Sequence, residues 1–332
     1  MSSKYASSHV SPQGPGDARP TALQIIKDEG LKGKLSDKVV LITGCSSGLG
    51  VETARALLGT GATLYLAVRI PAKARAALGV MSQNDRVHLL TLDLNDLSSV
   101  RACAADFATK SKTLNILINN AGVMATPEGK TTDGFETQFG TNYLAHFLLF
   151  QLLNPILLAS STPEFPSRLV NVSSSMHRAC EVQFDNLNWT GNYDPWMAYG
   201  QSKTALVWMA NEVERRYGSK GLHAFSLHPG GILSGLQQHV PDELKAAWGK
   251  NETFAKHWKS AEQGAATTVW AAVSKDLEGQ GGKYLEDCQI IGAWDLATGE
   301  IGPGYATWAY DQEKAEKLWP LGLKLVGLSD AA

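Results

Sequence analysis

Tyr199 and Lys203 stand four residues apart at the start of a helix-periodic segment, Tyr199 to Tyr217. Both side chains therefore leave one helix face, separated by a rise of about 6 Å. A free phenol, with a pKa of about 10, is a poor base at neutral pH, but a neighbouring ammonium stabilises its phenolate. A unit charge at about 4 Å in an effective dielectric of about 20 is worth roughly 4 kcal/mol, or about three pKa units before desolvation opposes it. On that footing Tyr199 titrates close to working pH and can carry a proton to or from an oxygen at a reacting carbon. Ser174, just past the apolar run Leu169 to Ser173, can hold the same oxygen. Its neighbours Ser173 and Ser175 are alternatives for that role.

A second constellation suits a nucleotide. The run Val39 to Thr43 leads directly into Gly44, Cys45, Ser46, Ser47, Gly48, Leu49 and Gly50, and a helix pattern follows. Glycines at 44, 48 and 50 allow a tight turn, close approach of backbone amides to a pyrophosphate, and a helix packed hard on the sheet. The helix N-terminus then faces the phosphate charge. At the end of the next strand pattern Val68 is followed by Arg69, where an NAD(H) site would carry a carboxylate for the ribose 2′-hydroxyl. A guanidinium, with Ser46 or Ser47 adding hydroxyls, instead suits a 2′-phosphate, which favours NADP(H) over NAD(H). Asp93 and Leu94 are placed to meet the adenine, and Asn120, Ala121 and Gly122 leave backbone room beside the adenosine ribose.

Taken in order, these segments resemble the short-chain dehydrogenase/reductase family from Gly44 to about Ser234. The resemblance implies hydride transfer between a nicotinamide and a carbonyl or alcohol, with Ser174, Tyr199 and Lys203 in the roles above. It adds Asn142 as the residue helping to position a water between Lys203 and solvent, and gives Lys203 a second contact, to the nicotinamide ribose. It also makes the run from His228 through Pro229, Gly230, Ile232 and Ser234 the loop beside the nicotinamide, Ser234 standing where a threonine is usual. The segments Asn142 to Phe147 and Glu262 to Ala265 look most like the retinol dehydrogenase and WW-domain oxidoreductase branch. Two readings of other classes use the same pocket: an NADP(H)-binding regulatory protein, and a non-redox cyclase or isomerase.

Such a site needs strands joined by helical crossovers. Short apolar runs alternate with helix-periodic segments from Lys38 onward, which predicts one doubly wound α/β domain of Rossmann type, with a parallel sheet of six to seven strands and helices on both faces. Strands are expected at 39–43, 63–68, 87–93, 116–119, 169–173 and 224–228, with a weaker one near 283–285. Right-handed crossovers run between them. Residues 1–20 read as a flexible tail and 21–332 as the single domain. Between Ser234 and Ser260 the rhythm lapses into a segment bearing Leu236, Leu244, Trp248, Phe254 and Trp258, the pattern of a cap over a hydrophobic pocket. The expected substrate is therefore a bulky, largely apolar carbonyl or alcohol, such as a lipid or specialised metabolite.

Composition narrows the alternatives. In 332 residues, 30 basic side chains face 32 acidic ones, leaving no cationic surplus for nucleic acid. Four scattered cysteines and eight histidines without ligand-like spacing suggest neither a disulfide framework nor a metal site. No secretory leader pattern or uninterrupted apolar run of membrane-spanning length is apparent, so a cytoplasmic protein is expected. A contact between copies of the chain is offered by the helices around Phe147 and Trp208 if an apolar outer face is left; burial against the sheet is the alternative.

Overall fold

The computed structural model describes residues 3–329. Its strands are β1 (Val39–Thr43), β2 (Thr63–Val68), β3 (Val87–Thr91), β4 (Ile116–Asn119), β5 (Ser167–Val172), β6 (Leu222–His228), β7 (Gly231–Ile232), β8 (Trp258–Lys259), β9 (Lys283–Glu286) and β10 (Gln289–Ile290). Eight of them form one sheet in the order β10-β9-β6-β5-β4-β1-β2-β3, parallel except for β10. All seven expected strands are in that sheet. The eighth, β10, has only two residues and no periodicity to read. It returns from β9 through Asp287 and Cys288, both left-handed (φ 55° and 54°) without the glycine or asparagine that usually marks such a turn. The pair β7–β8 forms a separate two-stranded ribbon.

The helices are α1 (Ala6–His9), α2 (Ala22–Asp28), α3 (Leu49–Leu58), α4 (Pro71–Leu78), α5 (Leu97–Lys110), α6 (Ala145–Ser160), α7 (Pro195–Tyr217), α8 (Asp242–Lys250), α9 (Glu252–His257), α10 (Ala261–Val273) and α11 (Gln312–Leu325). Alternate strand residues supply two cores. Leu41, Leu117 and Leu169 face α5, α6 and α7, whereas Val40, Ile42, Ile118 and Val170 face α2, α3 and α10. Burial on both faces is why the strands read as continuous apolar runs.

The helix before β5 has an irregular start. Asp133 and Gly134 form a turn, and a π-helical segment, Phe139–Leu144, leads into α6, which continues past Pro155 to Ser160. Together these make a run long and apolar enough to cross a membrane by length and composition. It lies in the core, with Phe147, Leu149 and Leu153 fully buried. The face around Phe147 and Trp208 is covered within the chain by α11: Trp319 meets the Phe147 ring edge-on at 5.1 Å. That face is therefore not left for a second subunit.

Where a tail was expected, residues 3–20 lie against the domain. Arg19, 4% exposed, donates to the carbonyls of His257 (2.9 Å), Trp258 (2.6 Å) and Gly14 (3.1 Å) and pairs with Asp17. The Gln263 amide on α10 holds the same strap, donating to Asp17 and to the Arg19 carbonyl and accepting from Gly16 N–H. Several buried carbonyls thus depend on one guanidinium, and removing it leaves them unpaired. Arg19→Ala should destabilise by about 2–4 kcal/mol, with faster proteolysis between residues 234 and 260. Thermal melts and timed digestion check this, with Lys4→Ala as a control of small effect, since Lys4 is half exposed and Glu29 keeps its hydrogen bonds from Ser274 and Lys275 without it.

Candidate active site

Asp194 caps α7, its carboxylate accepting from Trp196 and Met197 N–H, so the helix starts one turn before Tyr199 and carries Tyr199 and Lys203 inward. Each is 3% exposed. Lys203 Nζ donates to the Val172 carbonyl at the end of β5 (2.9 Å) and lies 5.4 Å from the centre of the Tyr199 ring. Ser174, the second residue past β5, faces the Tyr199 hydroxyl, an interaction that favours the phenolate. Ser173 instead donates its hydroxyl to the Lys203 carbonyl at 2.8 Å, which removes it as an alternative. The site lies at the carboxyl ends of the strands, where open parallel sheets bind ligands.

Burial dominates the electrostatics. It pushes the Tyr199 phenol up to about 12, against the Ser174 hydrogen bond, and brings the Lys203 ammonium down to about 7. In the folded protein desolvation is the largest influence on both groups, and it outweighs the pull that an ammonium exerts on the phenol. With Lys203 only partly charged at neutral pH, the protein alone keeps Tyr199 protonated.

Asn142 lies within the π-helical segment. Both hydrogens of its side-chain amide are used, toward the Val123 carbonyl and Ser202 Oγ, while Oδ1 accepts from Val123 N–H. A Cβ at Gly122 would sit 3.1 Å from that oxygen and 3.5 Å from Lys203 Nζ, so Gly122 keeps open the space both groups face. His146, buried and lowered to about 4 by desolvation, is neutral at pH 7. Thr43 Oγ1 accepts from the N–H groups of Asn120 and Ala121 (3.0 Å each), so its proton goes to His146 Nε2 at 2.9 Å. His146 Nδ1 then donates to the Asn142 carbonyl (2.8 Å). Neither Thr43 nor His146 stood out as a functional residue in the sequence.

Across the cleft lies the glycine loop. Gly44 has φ +81°, and a Cβ on it would come within 2.8 Å of Ala121. A Cβ on Gly50 would collide with the Gly44 carbonyl, so the loop closes only on glycine there. The Asn120 amide donates to the Thr43 carbonyl (2.8 Å) and shapes this turn. Ser47 and Arg69 are exposed, and neither has an ion-pair or hydrogen-bond partner among the described residues. Asp93 accepts from Asn95 N–H and Leu94 is buried, both at the end of β3. Ser234 caps the turn Gly235–His239 and exchanges hydrogen bonds with Gln237.

Between these groups runs a cleft of about 660 Å³. One wall is apolar: Trp196, Trp248 and Trp258 follow one another at 6.2 Å, and Leu236 and Leu244 pack with Met124, Met176 and Tyr199. The lining also has a polar part, which includes His9 and Arg19 from the N-terminal strap, Arg178, His228, Lys259 and Glu286. The strap residues went unrecognised in the sequence because a segment without periodicity gives no sign of where it docks.

The Lys203 shift fixes a pH dependence. Between about pH 7 and the unfolded value of about 10.5, the unfolded chain holds a proton on Lys203 that the folded chain has released, so stability from this group rises with pH. Wild type should therefore gain on Lys203→Met by up to about 1.4 kcal/mol per pH unit across that window, as read by paired denaturation curves at pH 7.5 and 9.

Comparison with known proteins identifies the family. Residues 38–245 match the family model of the short chain dehydrogenases. Short-chain dehydrogenase/reductase prx1 of Penicillium roqueforti is 53% identical over 327 residues, covering 98% of this chain and 96% of that protein. Human retinol dehydrogenase 12 is 38% identical, covering 89% and 88%. A crystal structure of an uncharacterised protein from Mycobacterium paratuberculosis superposes with a TM-score of 0.67 at 36% identity, covering 89% of this chain and 95% of its own. The chain belongs to the short-chain dehydrogenase/reductase family, in its retinol dehydrogenase-like branch, and is an oxidoreductase of CH–OH and C=O groups.

Proposed function

We propose that the protein is an NADP(H)-dependent reductase or dehydrogenase of a bulky, mostly apolar carbonyl or alcohol. The observation that carries this reading is the convergence of Ser174, Tyr199 and Lys203 on one cleft, with the glycine loop opposite and an aromatic wall above. The residues present fit the cofactor: the loop is closed too tightly for side chains at Gly44 and Gly50, and Gly122 keeps room beside Lys203. Exposed, unpaired Arg69 with Ser46 and Ser47 favours a 2′-phosphate, because a guanidinium fork pairs with phosphate oxygens. When bound, the nicotinamide supplies or accepts the hydride and, oxidised, brings a positive charge that favours the phenolate.

In reduction, Tyr199 Oη gives its proton to the oxygen that becomes the alcohol; in oxidation it takes that proton. Ser174 Oγ donates to the same oxygen as charge develops on it. Lys203 holds ribose hydroxyls and supplies charge to Tyr199. Asn142 braces the backbone at Val123 and directs the remaining lone pair of Oδ1 toward the space at Gly122, the place for a water leading from Lys203. Leu236, Leu244 and Trp248 exclude bulk water from the substrate side.

Tyr199→Phe should lower kcat/KM for hydrophobic aldehydes and ketones by about 10²–10⁴-fold while NADPH affinity stays within a few-fold. Absorbance assays and cofactor titration read both. Equal turnover by the variant, or activity only on small polar sugars, would count against the assignment. Arg69→Glu should weaken NADPH binding by about 10-fold or more and leave NADH nearly unchanged, because the lost interaction is with the 2′-phosphate alone. A parallel loss for both cofactors would remove the basis for preferring NADP(H).

A further inference from the structure

The polar wall of the cleft is not used by the proton transfer just described. Two of its residues sit side by side at strand ends: His228 closes β6, Glu286 closes β9, and the two are register partners. Both line the cleft. Glu286 is 6% exposed, and one of its oxygens accepts from Gly304 N–H (3.0 Å), while the other has no partner among the described residues. His228 Nδ1 is enclosed, so the atoms of this pair left open to the cleft are His228 Nε2 and the second Glu286 oxygen, neither hydrogen-bonded among the described residues. Polar atoms in so closed a corner are usually completed by water or a ligand.

The neighbours restrict what that can be. Asp287 is already satisfied by Lys259 (2.6 Å) and His9 (3.1 Å), and Arg178 by the carbonyls of Ser175, Gly302 and Glu300. Lys259 and Arg178 disfavour a cationic ligand. Burial, with the Asp287 carboxylate beside it, raises the Glu286 carboxyl, and burial lowers His228, which favours a carboxylic acid beside a neutral imidazole. A carboxylic acid O–H is a donor to an uncharged oxygen and offers nothing to an ammonium. The left-handed Asp287–Cys288 turn holds the corner in place: Cys288 N–H donates to Thr267 Oγ1, and Asp287 is fastened to the N-terminal strap through His9.

We propose that Glu286 and His228 form a second polar anchor, which takes an uncharged hydroxyl or carbonyl oxygen of the substrate remote from the carbon that exchanges hydride. This rests on the reductase reading above in supposing that the cleft holds the substrate. The enzyme would then select apolar molecules carrying two oxygen functions, one reacting at Tyr199 and one held at Glu286.

Binding can be separated from turnover. The full-length protein loaded with NADP is titrated with 1-heptanol, 1-nonanol and 1-undecanol and with the matching α,ω-diols, following tryptophan fluorescence. A diol is less hydrophobic than its parent alcohol, so transfer alone predicts that it binds more weakly. The expected result is at least tenfold tighter binding of a diol at one chain length in wild type and in Glu286→Gln, which keeps an uncharged donor. In Glu286→Leu the preference should vanish, with NADP affinity and melting temperature retained. A diol that binds no better than its alcohol, or the same preference in Glu286→Leu, overturns the anchor. Assays of nonanal and 9-hydroxynonanal with NADPH test the other reading: diol preference without any turnover sinks the reductase assignment and keeps the anchor, and turnover without preference does the reverse.

Discussion

Thr43 carries one hydroxyl, and three segments of the chain meet on it. Its oxygen accepts from Asn120 and Ala121 at the end of β4, and its proton goes to His146 on α6, which in turn holds the Asn142 carbonyl in the π-helical segment. Because His146 is buried and neutral, each ring nitrogen has one role, and the chain of bonds has one consistent direction. The glycine loop, the space at Gly122 and the Asn142 brace beside Lys203 all hang from this junction. A loss at Thr43 would therefore reach both the cofactor side and the proton-transfer side of the cleft.

The reacting groups are costly to hold. Lys203 and Tyr199 are each driven toward their uncharged forms by burial, so the folded protein stores an unfavourable environment that only an incoming charge or hydrogen-bonding partner can relieve. That is the usual relation between an active site and its scaffold: strain or desolvation is tolerated there because packing elsewhere is ample. Here two apolar layers fill both faces of the sheet, and α11 closes the outer side of one of them through Trp319, Leu318 and Leu323.

The substrate side is assembled differently. It draws on residues distant in sequence: His9 and Arg19 from the N-terminal strap, Trp196 before the Tyr199 turn, Trp248 and Trp258 from the cap, and Glu286 from β9. Arg19 ties the strap to the cap backbone at His257 and Trp258, so the N-terminal segment and the cap move as one wall if either moves.

Strand and helix alternation, the glycine loop between β1 and α3, and the four-residue spacing of Tyr199 and Lys203 were all legible in the sequence, because each depends on local geometry: burial on both sheet faces makes apolar runs, tight turns demand glycine, and one helical turn brings the fourth residue back to the same face. Choosing Ser174 over Ser173 required the tertiary structure, since both follow β5 and only packing turns Ser173 toward the Lys203 carbonyl. The Tyr199 and Lys203 shifts also lay beyond the sequence, because desolvation depends on what surrounds a group in space and not on its neighbours in the chain. The same is true of the strap, whose position is set by hydrogen bonds spanning more than two hundred residues, from Arg19 to Trp258 and from Asp17 to Gln263.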